Sequence, residues 1–166
     1  MKDDEIGAMI VGGLLGAGLS APKPEEKAEL QEYRQLKQQW LSRKQKLGEM
    51  SVLEKLQAKP KFRAVFVESC NMYIYGFFRG SSIMCSALME SLLKEKFGEM
   101  QFSKLIEIAG ENGLLDEADV HYLHGLRLDR NDLVHDIQRE VKEDDNHLIL
   151  QIASRLLNKI LEAPNA

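Results

Sequence analysis

Cysteine is scarce: Cys70 and Cys85 are the only two in 166 residues, too few for a disulfide framework or a thiolate zinc site. That count points to a reducing, cytoplasmic setting. Only four prolines and twelve glycines stand beside 29% charged and 44% hydrophobic residues, which excludes a collagen-like or wholly disordered chain. Positive charge has no surplus either, since 22 basic residues against 26 acidic ones give a net charge of -4. A protein that coats DNA along a broad basic groove is therefore excluded, while a small local basic site is allowed. Long apolar runs are missing as well. The nearest, Ile6 to Ala21, has 16 residues, short of the roughly 20 that span a bilayer as a helix. The acidic start MKDDE and the following Pro22 also fail the pattern of a secretory signal.

What is present begins with that glycine-rich apolar arm, residues 1–24. Ala8, Gly12 and Gly16 recur every four residues, a spacing that lets helices approach closely. The plainest reading is a loose arm, with a packing helix in an oligomer as the alternative. Membrane contact by residues 6–19 is not expected. Residues 25–59 read as a charged helix and a linker. Glu25, Glu26, Glu29 and Glu32 lie near the helix start and Arg43, Lys44 and Lys46 near its end, as the helix dipole prefers.

Residues 60–163 hold the main domain, opened by Pro60 at a first helical turn. Helices are expected over Lys61–Tyr75, Ser81–Phe97 and Phe102–Glu111, then from Asp116, and over Asn146–Glu162. Gly76 and Gly80 are expected to bracket a bend. The first helix would bury Val65, Phe66, Cys70 and Tyr73. The second would bury Met84, Ala87, Leu88, Ser91 and Leu92, and the last Ile149, Ile152, Ala153, Leu156 and Ile160, at helical spacing. Val and Phe within 62–67 leave a strand there as a minor alternative. The fold class is all-α: an antiparallel four- to five-helix bundle with an N-terminal helical extension.

One run carries chemistry. Leu126-Arg127-Leu128-Asp129-Arg130-Asn131-Asp132-Leu133-Val134-His135 sets two guanidiniums, an amide and an imidazole in a region, 61–166, that holds 12 basic and 17 acidic residues. On a helix, Arg127, Asn131, His135 and Arg139 step by four and drift about 40° each time, so they form one polar stripe. Arg130 and His135 are five apart, about 140° around an unbroken helix. They converge only if the helix restarts at Asp129, Asn131 or Asp132, all helix-interrupting types, or if a second copy supplies one of them. A histidine that titrates near neutrality can move the protons of phosphodiester cleavage, and arginine grips a phosphate through two donors. The competing expectation is that Arg127 and Arg130 simply pair with Asp129, Asp132 or Asp136, leaving His135 an interhelix hydrogen-bonding residue. His121 and His124 form an H-x-x-H pair without a third ligand, so no metal and no cofactor is expected.

Arg130-Asn131-Asp132-Leu133-Val134-His135 resembles the R-N-x-x-x-H form of the motif that marks the HEPN superfamily. Ala87-Leu88-Met89-Glu90-Ser91-Leu92-Leu93 is similar to the second-helix segment of such domains, and the resemblance covers about Pro60 to Leu161. It implies a homodimer whose two motifs face each other, with Arg130 and His135 as the catalytic pair, Asn131 as the motif's polar second position, and Glu90 as a recurring acidic position. Apart from the resemblance, the polar stripe gives Arg127 and Arg139 as further binding residues, and Glu90 joins them. The implied activity is a metal-independent endoribonuclease in a toxin, defence or RNA-processing role, with RNA, a protein partner or an antitoxin as partners. The alternative is a catalytically silent dimeric binding or scaffold module.

Overall fold

Pro60 begins a helix because its missing N–H falls where a helix has no internal acceptor for it, and its fixed φ is already helical. That helix, Pro60–Tyr75, is one of seven in a computed structural model that describes residues 24–136 and 138–163. In chain order they are α1 (Pro24–Leu47), α2 (Val52–Lys55), α3 (Pro60–Tyr75), α4 (Phe78–Phe97), α5 (Phe102–Glu111), α6 (Glu117–His135) and α7 (Glu143–Glu162), with a 3-10 turn at Leu56–Ala58. The fold is all-α, and no strand occurs among the described residues. The glycine-rich arm expected over 1–24 lies, up to residue 23, outside the described residues.

The chain divides into two units, 1–38 and 39–166. The described part of the first is the opening portion of α1, with Glu25 and Glu26 in its first turn and no buried side chain. In the second unit α4 is the central element, packing on α3, α5, α6 and α7. Its buried positions run in pairs one turn apart, Ser81 and Ser82, Cys85 and Ser86, Leu88 and Met89, Leu92 and Leu93, because a helix covered on several sides needs a broad buried face. Ala87 and Ser91, expected inward, are instead exposed and Met84 is only half-buried. Ala87 and Ser91 have little side-chain area to bury, so the larger Leu88, Met89, Leu92 and Leu93 set the rotation of α4.

The corner between α3 and α4 is also tighter than the two-glycine bend expected. Gly76 ends α3 at φ +87, a conformation that a side chain would strain. Gly80 lies inside α4, where an added Cβ would stand 2.9 Å from Met72 Sδ. It serves close helix packing and not a turn.

Small polar residues fill that crossing. Ser69 Oγ donates to the Ser81 carbonyl at 2.9 Å and lies 3.0 Å from Cys85 Sγ, and Asn146 Nδ2 donates to Ser82 Oγ at 2.7 Å. Burial pushes both the Cys70 and Cys85 thiols up to about 12, so both remain protonated free thiols. The segment 51–59, read from sequence as helix or linker, places Val52 and Leu56 in the core with no exposed surface. Leu105, Ile106, Leu123, Leu150 and Leu156 complete the same core. Helix α7 starts at Glu143, three residues before the expected Asn146, and Glu143, Asp144 and Asp145 form its acidic first turn. No helix among the described residues is long and apolar enough to cross a membrane.

Candidate functional site

Helix α6 carries the arginines and the imidazole, and its two ends are built differently. Asp116 caps the start, its side chain accepting the Asp119 N–H at 2.9 Å, which satisfies one of the free donors of a first turn. At the other end Asp136 turns extended, and its Oδ1 accepts the Gln138 N–H at 2.9 Å, a local turn that stops the helix.

Between these points the helix is continuous, so of the two routes by which Arg130 and His135 could converge, a restart at Asp129, Asn131 or Asp132 does not occur. The physical reason is visible in their partners. Arg139 donates from Nη2 to Asp129 Oδ1 and from Nη1 to Asp132 Oδ2, each at 2.6 Å. Both carboxylates are thus taken up and do not compete for the helix backbone. The Asp136 N–H still reaches the Asp132 carbonyl at 2.7 Å. Arg130 and His135 therefore stay about 140° apart around one helix.

Arg130 faces α4. Its Nη1 donates to Glu90 Oε2 at 2.6 Å, and Glu90 Oε1 also meets Lys94 Nζ at 3.2 Å. With 30% and 19% of their side chains exposed, Arg130 and Glu90 form a partly covered charge pair. The expectation that Arg127 and Arg130 pair with the neighbouring aspartates is overturned, because Arg139 occupies Asp129 and Asp132 and Glu90 engages Arg130. Arg139 also leaves the expected stripe: it stands beyond the end of α6, and the Asp129 carboxylate beside it holds its guanidinium above the usual arginine range.

The rest of the stripe is intact and open. Arg127 and Asn131 are half-buried and His135 is exposed at the last position of α6. Arg127 Nε is buried and bonds nothing. Two residues of this region escaped sequence reasoning. Arg79, in the first turn of α4, donates from Nη1 to the Leu133 carbonyl at 3.0 Å and from Nη2 to the Arg139 carbonyl. It closes one carbonyl that the end of α6 leaves open and ties the segment after the helix to the same guanidinium. No local signal marks it, since its partners are 54 and 60 residues away. Lys94 had a signal, its i,i+4 spacing from Glu90.

A family model described as a domain of unknown function, DUF4145, matches residues 68–166. The chain belongs to the DUF4145 family. No curated protein matches the chain, and no solved structure does. The DUF4145 region begins within α3 and includes all of α4 to α7, so Arg79, Glu90, Arg127, Arg130, Asn131, His135 and Arg139 all fall inside it.

Chemically, the arrangement offers an exposed imidazole, an amide one turn behind it and a guanidinium two turns behind it on one flank of α6. A second guanidinium, Arg130, lies about 60° from Arg127 around the helix and is held by the Glu90 carboxylate.

Proposed function

We propose that this chain is a metal-independent endoribonuclease of HEPN type, built on a helical bundle and working as a homodimer. The observation that carries this reading is the state of His135. Its imidazole ends an unbroken helix, is exposed, and bonds no other side chain among the described residues. A histidine free at a surface can exchange protons with a bound substrate. In the reaction, His135 accepts the 2'-OH proton as the 2'-oxygen attacks phosphorus. The 5'-oxygen leaves with a proton returned from an imidazolium, giving a 2',3'-cyclic phosphate and a free 5'-hydroxyl. Arg130, the arginine of the R-N-x-x-x-H run, supplies charge to the pentacoordinate phosphorus. Because it lies about 140° from His135 on the same helix, the arginine and histidine that act on one phosphate come from two copies. A toxin, defence or RNA-processing role in the cytoplasm fits such an activity.

A second reading is a silent dimeric scaffold. The 2.6 Å pair between Arg130 and Glu90 favours it, since a neutralised arginine attracts phosphate weakly.

The deciding experiment incubates the full-length chain with a mixed single-stranded RNA pool in EDTA and analyses product ends. Cleavage with 2',3'-cyclic phosphate ends, lost in His135→Ala, is the expected result. Uncut RNA, or equal cleavage by His135→Ala, leaves the scaffold reading.

A further inference from the structure

The polar groups of α6 sort into two classes. Arg130 and Arg139 each hold carboxylates at 2.6 Å, and His121 lies 3.7 Å from Glu117. His124, Arg127, Asn131 and His135 have no side-chain hydrogen bond or ion pair among the described residues. At about 100° per residue these four fall within an arc of about 80°, and at about 1.5 Å per residue they extend over about 16 Å of helix. From Val120 to His135 that arc holds only Val120 besides, with Leu128 and Val134 about 20° outside it, while Glu117 lies at its edge before Val120. The two nearest acids of α6 that follow, Asp129 and Asp132, lie outside that arc, and both are claimed by Arg139.

We infer that this flank is a track for the backbone of single-stranded RNA, in which Arg127 holds a phosphate and Asn131 adds a donor, leading the chain to His135. The inference rests on the RNA-cleaving reading above and deepens it by assigning Arg127 as a positioning residue that the R-N-x-x-x-H run does not contain. Three points support it. A guanidinium with no internal carboxylate is the one whose charge is available to a phosphate. Arg127 is half-buried and its Nε is buried without a protein acceptor, so a phosphate meets the terminal Nη groups of its guanidinium. Asn131 sits one turn on, so its amide reaches the same segment of backbone. Arg130 is one i,i+3 step from Arg127, about 60° around the helix, but its charge is answered by Glu90, which leaves Arg127 as the uncompensated guanidinium of the two.

The test uses a fluorescein-labelled 12-nucleotide 2'-O-methyl RNA, which lacks the attacking hydroxyl, and measures its affinity for the full-length chain by anisotropy across a potassium chloride series. Arg127→Gln is expected to weaken binding about tenfold and to reduce the salt slope by about 0.7, the share of one phosphate contact on a single strand. Arg127→Lys should restore the slope and only part of the affinity, because it keeps the charge and loses the fork. Arg63→Gln, at an exposed position of α3 away from the site, should leave the slope unchanged. Asn131→Asp, which puts a negative charge on the track without removing Arg127, should weaken binding by a similar factor and covers the case of an unfolded Arg127→Gln.

Unchanged affinity and slope in Arg127→Gln and Asn131→Asp, an equal loss of slope in Arg63→Gln, or no binding by the parent would each overturn the track. Parallel assays with unmodified RNA separate the two readings. Arg127-dependent binding without cleavage keeps the track and removes the nuclease, whereas cleavage with an unaltered KM in Arg127→Gln keeps the nuclease and removes the track.

Discussion

The two ends of α6 carry similar residues and use them in opposite ways. At the start, Asp119 is wholly buried and meets Lys159 and Arg155, the latter at 2.5 Å, while Asp116 meets Lys159 at 2.8 Å. Asp116 and Asp119 are both answered by α7, and this acid-base set is a fastening. At the far end Arg139 and Arg130 are answered within the fold, but Arg127, Asn131 and His135 are not. The difference teaches that a cluster of charged residues says little about function until its internal partners are counted. Both ends look equally polar in sequence. Only one leaves donors and an imidazole for something else.

The comparison predicts a clean separation of effects. His135→Ala should reduce RNA cleavage by about 100- to 10,000-fold, the range of general acid-base contributions. Its folding stability should stay within about 0.5 kcal/mol of the parent, as for a surface substitution; thermal melting and a gel assay on the same preparations check both. A drop in both would mean the open end also fastens the fold. Asp119→Ala should do the reverse. Its partners are 57% and 40% exposed and can return to water, so the cost falls near 1–3 kcal/mol rather than that of a stranded buried charge. That corresponds to a melting temperature lower by several degrees, with kcat unchanged below the transition.

The smallest effect is a pH dependence. The Lys159 ammonium, followed by the Asp119 N–H, holds the Asp116 carboxyl down to about 2 from its ordinary 3.8. A depressed carboxyl stabilises the fold fully above its unfolded value and loses that contribution as pH falls through the folded one. The melting difference between the parent and Asp116→Asn should therefore be constant from pH 7 to about pH 4 and shrink between about 4 and 2. A difference that persists at pH 2 would show that the carboxylate's charge is not what fastens this end.

Much of the helix pattern was legible because its punctuation is local. Pro60 marks the start of α3, and Asp116 with Glu117 and Asp119 marks the start of α6, each through chemistry confined to one turn. The acidic run Glu143-Asp144-Asp145 gave the start of α7 equally well, but the apolar period of the following residues drew the boundary to Asn146. The rotation of α4 was hidden because Ala87 and Ser91 fit the helical period as well as their neighbours do. At the site, Arg130, Asn131 and His135 were found from their spacing, while their relations were not. The Arg130 to Glu90 pair joins residues 40 apart and Arg79 reaches 54 along the chain. No helical periodicity extends across such a separation.

Arg79 gives the open end a dependence that its own sequence does not show. A terminal turn normally unwinds and reforms readily, since its last carbonyls have only water to bond. Here the guanidinium of another helix holds the Leu133 carbonyl, two residues before His135, and the Arg139 carbonyl four residues after it. The imidazole is thus exposed to solvent yet carried on a turn whose fraying is restrained from α4. Slow amide exchange at that turn would be a property of residue 79 as much as of α6, and the order of the surface track is set by the packing of the corner beneath it.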